Sequence, residues 1–185
     1  MTRNTVSRSL HDVGLAAWFG GTLANSVALN PAAGEAATKE STGAVANAGW
    51  DRWTPVNAAA IGAHVVGSLG QLAGNRGRLA GQRGVASMAL AKTGLTAAAL
   101  GVTGYSRLLG RKVSAHGDVP AESATEPTVG TPPEVARAQR QLDSLQWAVP
   151  ALTGALVVLS AFAGEQQRAS EATGGTLRRL VPGRR

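Results

Sequence analysis

HDVGLAAWFGGTLAN, residues 11–25, is apolar enough to lie in hydrocarbon, yet it carries a histidine and an aspartate at one end and an asparagine at the other. His11, Trp18 and Asn25 are seven residues apart, so a helix sets them on one face, with Gly14 and Gly21 beside them. A polar group turned toward lipid costs several kcal/mol. The stretch therefore predicts a membrane helix whose polar row faces other helices.

The same interval recurs along the chain. Asn57, His64 and Gln71 form a second row, with Gly67 and Gly74 alongside. Gln146, Thr153, Ser160 and Gln167 form another. Gly94 and Gly101 repeat it with small residues, and Thr96 and Thr103 add a polar row. Seven-residue spacing suits left-handed helix crossings, and glycine lets backbones approach closely. All these rows are expected to face inward. Most of the polar side chains then act as interhelical glue, each hydrogen bond contributing about 0.6 to 2 kcal/mol. The sharper reading is that they line a pocket or a path.

Each row lies in a charge-poor stretch of about 20 residues, the length that crosses a hydrocarbon core of about 30 Å. These stretches run over about 10–30, 54–74, 84–108 and 145–164. Residues 145–164 hold no charge, and 85–106 hold only Lys92. A water-soluble helical bundle would show charges at nearly every turn of its outer faces. With 44% hydrophobic residues, only 4% aromatic and 24 glycines, the composition also favours close helix contact over a bulky soluble core. A cleaved leader is the alternative for the first stretch, but His11, Asp12 and Asn25 sit badly in its apolar region.

Charge sets the orientation. The chain has a net charge of +7, and fifteen of its eighteen basic residues are arginine. Arg3 and Arg8, then Arg76, Arg78 and Arg83, then the basic tail 165–185 fall on one side of a four-helix arrangement. That side carries ten Lys/Arg against seven on the other, which makes it cytoplasmic by the positive-inside rule. Trp50, Trp53, Tyr105 and Trp147 fall together at the opposite interface, as an aromatic belt would. Residues 115–134, AHGDVPAESATEPTVGTPPE, lack apolar periodicity and read as a disordered outer loop. The fold expected is thus all-α, an integral membrane four-helix bundle in one domain, residues 1–185. Its crossings are left-handed, with the N and C termini cytoplasmic.

Candidate sites follow from depth. His11, Asp12, Asn25, Asn57, His64, Gln71 and Lys92 are the intramembrane polar groups. A lysine inside a span must pair or snorkel, so Lys92 is expected either to meet Asp12 or to reach the headgroups. His64 is expected at mid-membrane, bonded to a threonine such as Thr96. Matching span ends puts His11 and His64 roughly 12 to 15 Å apart in depth, which is poor for two haem ligands. GNRGRLAGQRG, residues 74–84, reads as a turn whose Arg76, Arg78 and Arg83 contact anionic headgroups. The Arg-rich tail lacks interleaved aromatics, which favours lipid over nucleic acid.

The chemistry excluded is broad. There is no cysteine, so disulfides and thiol catalysis are out. No GxxxxGK[ST], HExxH or GxSxG occurs, and no nucleophile–base pair is visible. The expectation is a protein without enzymatic activity, metal or cofactor, whose partners are the bilayer and other membrane proteins or a second copy. Carriage of a small solute or proton by the polar interior is the alternative.

LHDVGLAAWFGGTLANSVALNPAA (10–33), VANAGWDRWTPVNAAAIGAH (45–64) and AGNRGRLAGQRGVASMALAKTG (73–94) together resemble small multi-pass membrane proteins of actinobacteria. That group has no assigned activity, so the resemblance implies a cell-membrane location and no site residues. His11, Trp18, Gly20 and Gly21 also resemble the first helix of CopD-like four-helix membrane families. Copper handling would want more methionine or histidine than Met1 and Met88 and the three histidines supply.

Overall fold

The computed structural model describes residues 4–81, 83–117 and 119–180, with side chains described over 4–76, 85–117 and 119–164. The chain is all-helical. Helix α1 (Thr5–Ala24) runs through a π-helical turn (Asn25–Leu29) into the short α2 (Asn30–Ala33). Long helices α3 (Lys39–Gly81), α4 (Arg83–Ser114) and α5 (Pro133–Leu180) follow. All four charge-poor stretches fall within helical segments. At 1.5 Å per residue α3, α4 and α5 are about 65, 48 and 72 Å long, so each exceeds a bilayer core of about 30 Å.

Local chemistry explains the boundaries. Pro31 cannot donate to the helix preceding it, and the wide turn before it absorbs the lost bond. Thr38 and Ser41 cap α3 reciprocally: each backbone N–H donates to the other's hydroxyl, at 2.9 and 3.2 Å. Arg111 and Lys112 lie in the last turn of α4, where carbonyl dipoles favour cations. Pro133 and Glu134 open α5, as suits a helix start.

The helices alternate in direction around a ring in which α1 lies between α3 and α5, and α4 closes the ring against α5. The α1–α3 seam is the tightest. A Cβ placed on Gly14 would lie 2.5 Å from both Ala60 O and His64 N, and one on Gly67 would strike the backbone of His11. By contrast, α3 and α4 touch sparsely. Polar contacts between them among the described residues include Ser114 to Asn47 (3.0 Å), Arg107 to Asp51 (3.7 Å) and Thr96 to His64 (3.4 Å).

What lies inside is unusual for a water-soluble domain. The fully buried side chains include His11, His64, Asn30, Thr42 and Thr153, while much of the apolar core is alanine. Val13, Val66, Leu69, Leu90, Leu108 and Phe162 are all more than half exposed. Two helices are long and apolar enough to cross a membrane, α4 over Val85–Ser114 and α5 over Pro133–Gly164. Among the described residues α1 and α3 fall short of that apolarity, because they carry the polar side chains of the seam.

Four expectations are corrected. Residues 115–117 and 119–134, expected to be part of a disordered loop, are ordered. Their backbone is tied down by Ala121 N to Lys39 O (3.0 Å), Ala124 N to Asn30 O (3.3 Å) and Glu122 N to Glu126 O (2.9 Å). Lys39 also pairs with Glu122, and Gly130 at φ 97° turns the chain where other residues would be strained. Second, the segment expected to turn at 75–83 stays helical to Gly81, and α4 restarts at Arg83. Its described amides, up to Gly81 and from Arg83, therefore belong to the helices. Third, Gly94 and Gly101 face outward, with nothing within 4 Å of a Cβ placed on either. Fourth, the aromatic belt is only half formed. Tyr105 and Trp147 are about half exposed, but Trp53 packs on Gly21 and Trp50 bonds Asn30.

Candidate functional site

The polar row of α1 is buried as expected: His11, Trp18 and Asn25 are 2%, 0% and 8% exposed. Glycine decides what they meet. Because Gly14 and Gly67 let α1 and α3 touch backbone to backbone, the His11 and His64 rings come into contact, centroids 4.6 Å apart and planes tilted by 46°. The expected depth offset between them does not exist. Span-end matching would set Gly74 level with Leu10, whereas Gly74 lies beside Asn4, six residues and about 9 Å away along the helix. Rings this close leave no room for a porphyrin between them, so the pair cannot be axial ligands of one haem.

Each ring is held by its neighbours. His11 Nδ1 lies 2.7 Å from Asp12 Oδ1, so that nitrogen carries the proton given to the carboxylate. Its Nε2 is then an acceptor, buried and without a hydrogen-bond partner. His64 Nδ1 lies 3.4 Å from His11 O and its Nε2 3.4 Å from Thr96 Oγ1, the threonine expected. Trp18 closes the cluster, its ring centre 6.0 Å from that of His64.

Below this cluster the four long helices part around a cavity of about 940 Å³ at the end of the bundle where α1 starts. It is lined from α1 by Arg8, His11 and Asp12, from α3 by Gln71, from α4 by Lys92 and Thr96, and from α5 by Ser160. Lys92, expected to meet Asp12, directly or through water, or to reach the headgroups, forms no direct ion pair with the Asp12 carboxylate. Asp12 is engaged by His11 and, at 3.9 Å, by Arg8 Nε, one turn earlier on α1. Lys92 makes no hydrogen bond or ion pair among the described residues, although it shares the cavity with Asp12. Gln71 Nε2 and Ser160 Oγ are buried there without partners, as is His11 Nε2.

The opposite end of the bundle holds a group that spacing alone did not assemble. Asn30 Nδ2 donates to Gln146 Oε1 at 2.8 Å, and Trp50 Nε1 donates to Asn30 Oδ1 at 3.1 Å. Ser26 Oγ lies 2.7 Å from Gln146 O, and Gln146 Nε2 donates to Asp143 Oδ1 at 2.9 Å. The only available signal was Gln146 heading its seven-residue row. Asn25 and Asn57, expected in the interior, are buried and half-buried, and each keeps one side-chain atom without a partner. Of the headgroup candidates, Arg76 is exposed, while the side chains of Arg78 and Arg83 lie outside the described residues.

Among the described residues, no three histidine or carboxylate side chains gather as metal ligands. No family model, curated protein or solved structure matches this chain.

Proposed function

We propose that the chain is an integral membrane protein without enzymatic activity, crossing the cell membrane four times with both termini cytoplasmic. It serves as a lipid-contacting accessory or scaffold subunit. One observation carries this: the bundle is inside-out, with histidine, asparagine and threonine sealed within while valine, leucine and phenylalanine cover the outside. Contiguous apolar surface on a soluble monomer ordinarily stays within a few hundred Å², and exposed side chains such as Leu90, Leu108 and Phe162 suit hydrocarbon better than water. In hydrocarbon such exposure costs nothing, and the buried polar rows become the sensible arrangement.

The chain has no cysteine, which makes the topology directly testable. Single cysteines are introduced as Thr2→Cys and, at a 97% exposed position, Val129→Cys, and probed in intact cells with a membrane-impermeant maleimide. Labelling at 129 but not at 2, with the chain pelleting alongside membranes after an alkaline wash, supports the proposal. A chain left in the supernatant, or equal labelling at both sites, defeats it.

A second reading has one specific observation behind it. Asp12, His11, His64 and Thr96 cluster beside the cavity with the two histidine rings in contact, and titratable groups gathered in this way suit proton exchange. Proton flux in proteoliposomes that falls in His64→Ala favours carriage; flux unchanged in His64→Ala and Lys92→Ala removes it.

A further inference from the structure

We propose that the cavity beside Lys92 binds an anionic amphiphile. The headgroup, a carboxylate or phosphate, lies against Lys92, and the acyl chain leaves between α3 and α4. This rests on the membrane reading above and adds the chemical class of the ligand.

Charge comes first. Among the described residues, the charged side chains lining the cavity are Arg8, Asp12 and Lys92, a net charge of +1. Asp12 is bonded to His11 and paired with Arg8 and attracts Lys92 only at longer range, so among the described residues the lysine has no direct counter-ion. A half-buried ammonium at this depth requires an anion or a route to water. Gln71 and Ser160 also line the cavity, but their unpaired Nε2 and Oγ are sealed within its walls, so the charged donor offered to a headgroup oxygen is Lys92, and charge-assisted bonds are the strong ones.

Shape then separates an amphiphile from a free anion. The cavity, about 940 Å³, is at the upper end of the range of about 300 to 1,000 Å³ that takes whole small ligands. That far exceeds what phosphate needs. Part of its wall is Leu69, Leu72 and Leu100, which are also 61%, 37% and 36% exposed on the outside of the bundle. The cavity therefore opens sideways between α3 and α4, where these helices touch sparsely, onto the surface assigned to lipid. A ligand entering there brings an apolar chain with it, and Met88 gives that chain an adaptable wall.

The test uses the full chain in nanodiscs of phosphatidylcholine, with ligand occupancy read by native mass spectrometry. Hexadecanoate, hexadecyl phosphate, hexadecanol and inorganic phosphate are the probes. At least one of the two anionic amphiphiles should bind about tenfold or more tighter than the alcohol, since a hydrogen bond to a charged group is worth about 1.5 to 3 kcal/mol. Whichever binds tighter identifies the headgroup as carboxylate or phosphate. Lys92→Met should erase that preference while alcohol binding persists, and Lys92→Arg should restore it. Ala97→Trp, which blocks the lateral opening, should weaken every amphiphile. Equal binding of hexadecanol and the anions, or an unchanged preference in Lys92→Met, overturns the proposal. Inorganic phosphate competing as well as hexadecyl phosphate also overturns it, by showing a free-anion site. Failure of the membrane reading is seen separately, as chain that does not pellet with membranes, and the same titration can then be run in buffer.

Discussion

The two ends of the bundle hold similar side chains and use them differently. At the end near the 119–131 segment, Asn30, Trp50, Gln146 and Asp143 exhaust much of one another's hydrogen-bonding capacity, with the Ser26 hydroxyl against the Gln146 carbonyl. At the other end, His11, Gln71 and Ser160 each keep a buried polar atom unpaired around a large cavity, with Lys92 among them. A closed network of buried polar groups fixes one arrangement of helices. An open one lowers stability unless something completes it. The first end thus behaves as a clasp and the second as a receptor, and the difference lies in the cavity, since Asn25 Nδ2 and Trp53 Nε1 near the clasp are also buried without partners.

Both ends hang on the α1–α3 seam, so breaking the seam has the largest effect. Gly67→Val places a side chain into the backbone of His11, where no rotamer can yield. It should cost at least about 3 kcal/mol, beyond ordinary overpacking of about 1 to 3 kcal/mol. Thermal unfolding in detergent should show loss of the cooperative transition, with the clasp and the cavity failing together. Gly94→Val, an equal substitution on the outward face of α4, should leave the transition in place.

The next effect divides the ends. Asn30→Leu removes the partner of both Trp50 and Gln146, and at about 0.6 to 2 kcal/mol per bond it should destabilise by about 1 to 4 kcal/mol. Gln71→Met at the receptor end should do the reverse in the ligand-free protein. It deletes a buried donor without a partner and keeps the volume, so stability should be unchanged or rise by up to about 1 kcal/mol. Equal destabilisation by the two substitutions would erase the distinction between clasp and receptor.

The sequence made the clasp and the receptor half legible. Seven-residue spacing correctly placed His11, Trp18 and His64 inside, because a helix converts that interval into a face whatever surrounds it. The Thr96 contact of His64 was also readable. Register was not. Periodicity says which face is buried but not how far two helices slide, and here close contact at Gly14 and Gly67 sets the slide by where backbone can meet backbone. Gly94 and Gly101 share the same interval yet face outward, so spacing alone does not separate a used glycine face from an idle one. The 119–131 segment was missed for a different reason. It has little apolar side-chain pattern to detect, because backbone amides and short polar contacts hold it to the helix ends.

That segment supplies the smallest effect, and the one that tests how far the clasp extends. Lys39 at the start of α3 and the Thr128 hydroxyl both bond the Glu122 carboxylate, and these bonds hold its pKa below the ordinary glutamate value. A carboxyl whose pKa is depressed by folding stabilises the folded state above its unfolded pKa. That contribution disappears as pH falls through the lower, folded value. The site is open to solvent, so screening keeps the contribution small. The amide resonance of Ala121, which bonds Lys39 O, should therefore shift on acidification with a midpoint below that of a free glutamate. Glu122→Gln should abolish the shift while leaving Asn30, Trp50 and Gln146 bonded. If the substitution also loosens Trp50, seen as a red-shifted tryptophan emission, the clasp includes the segment that covers it. An unchanged emission would confine the clasp to the three helices.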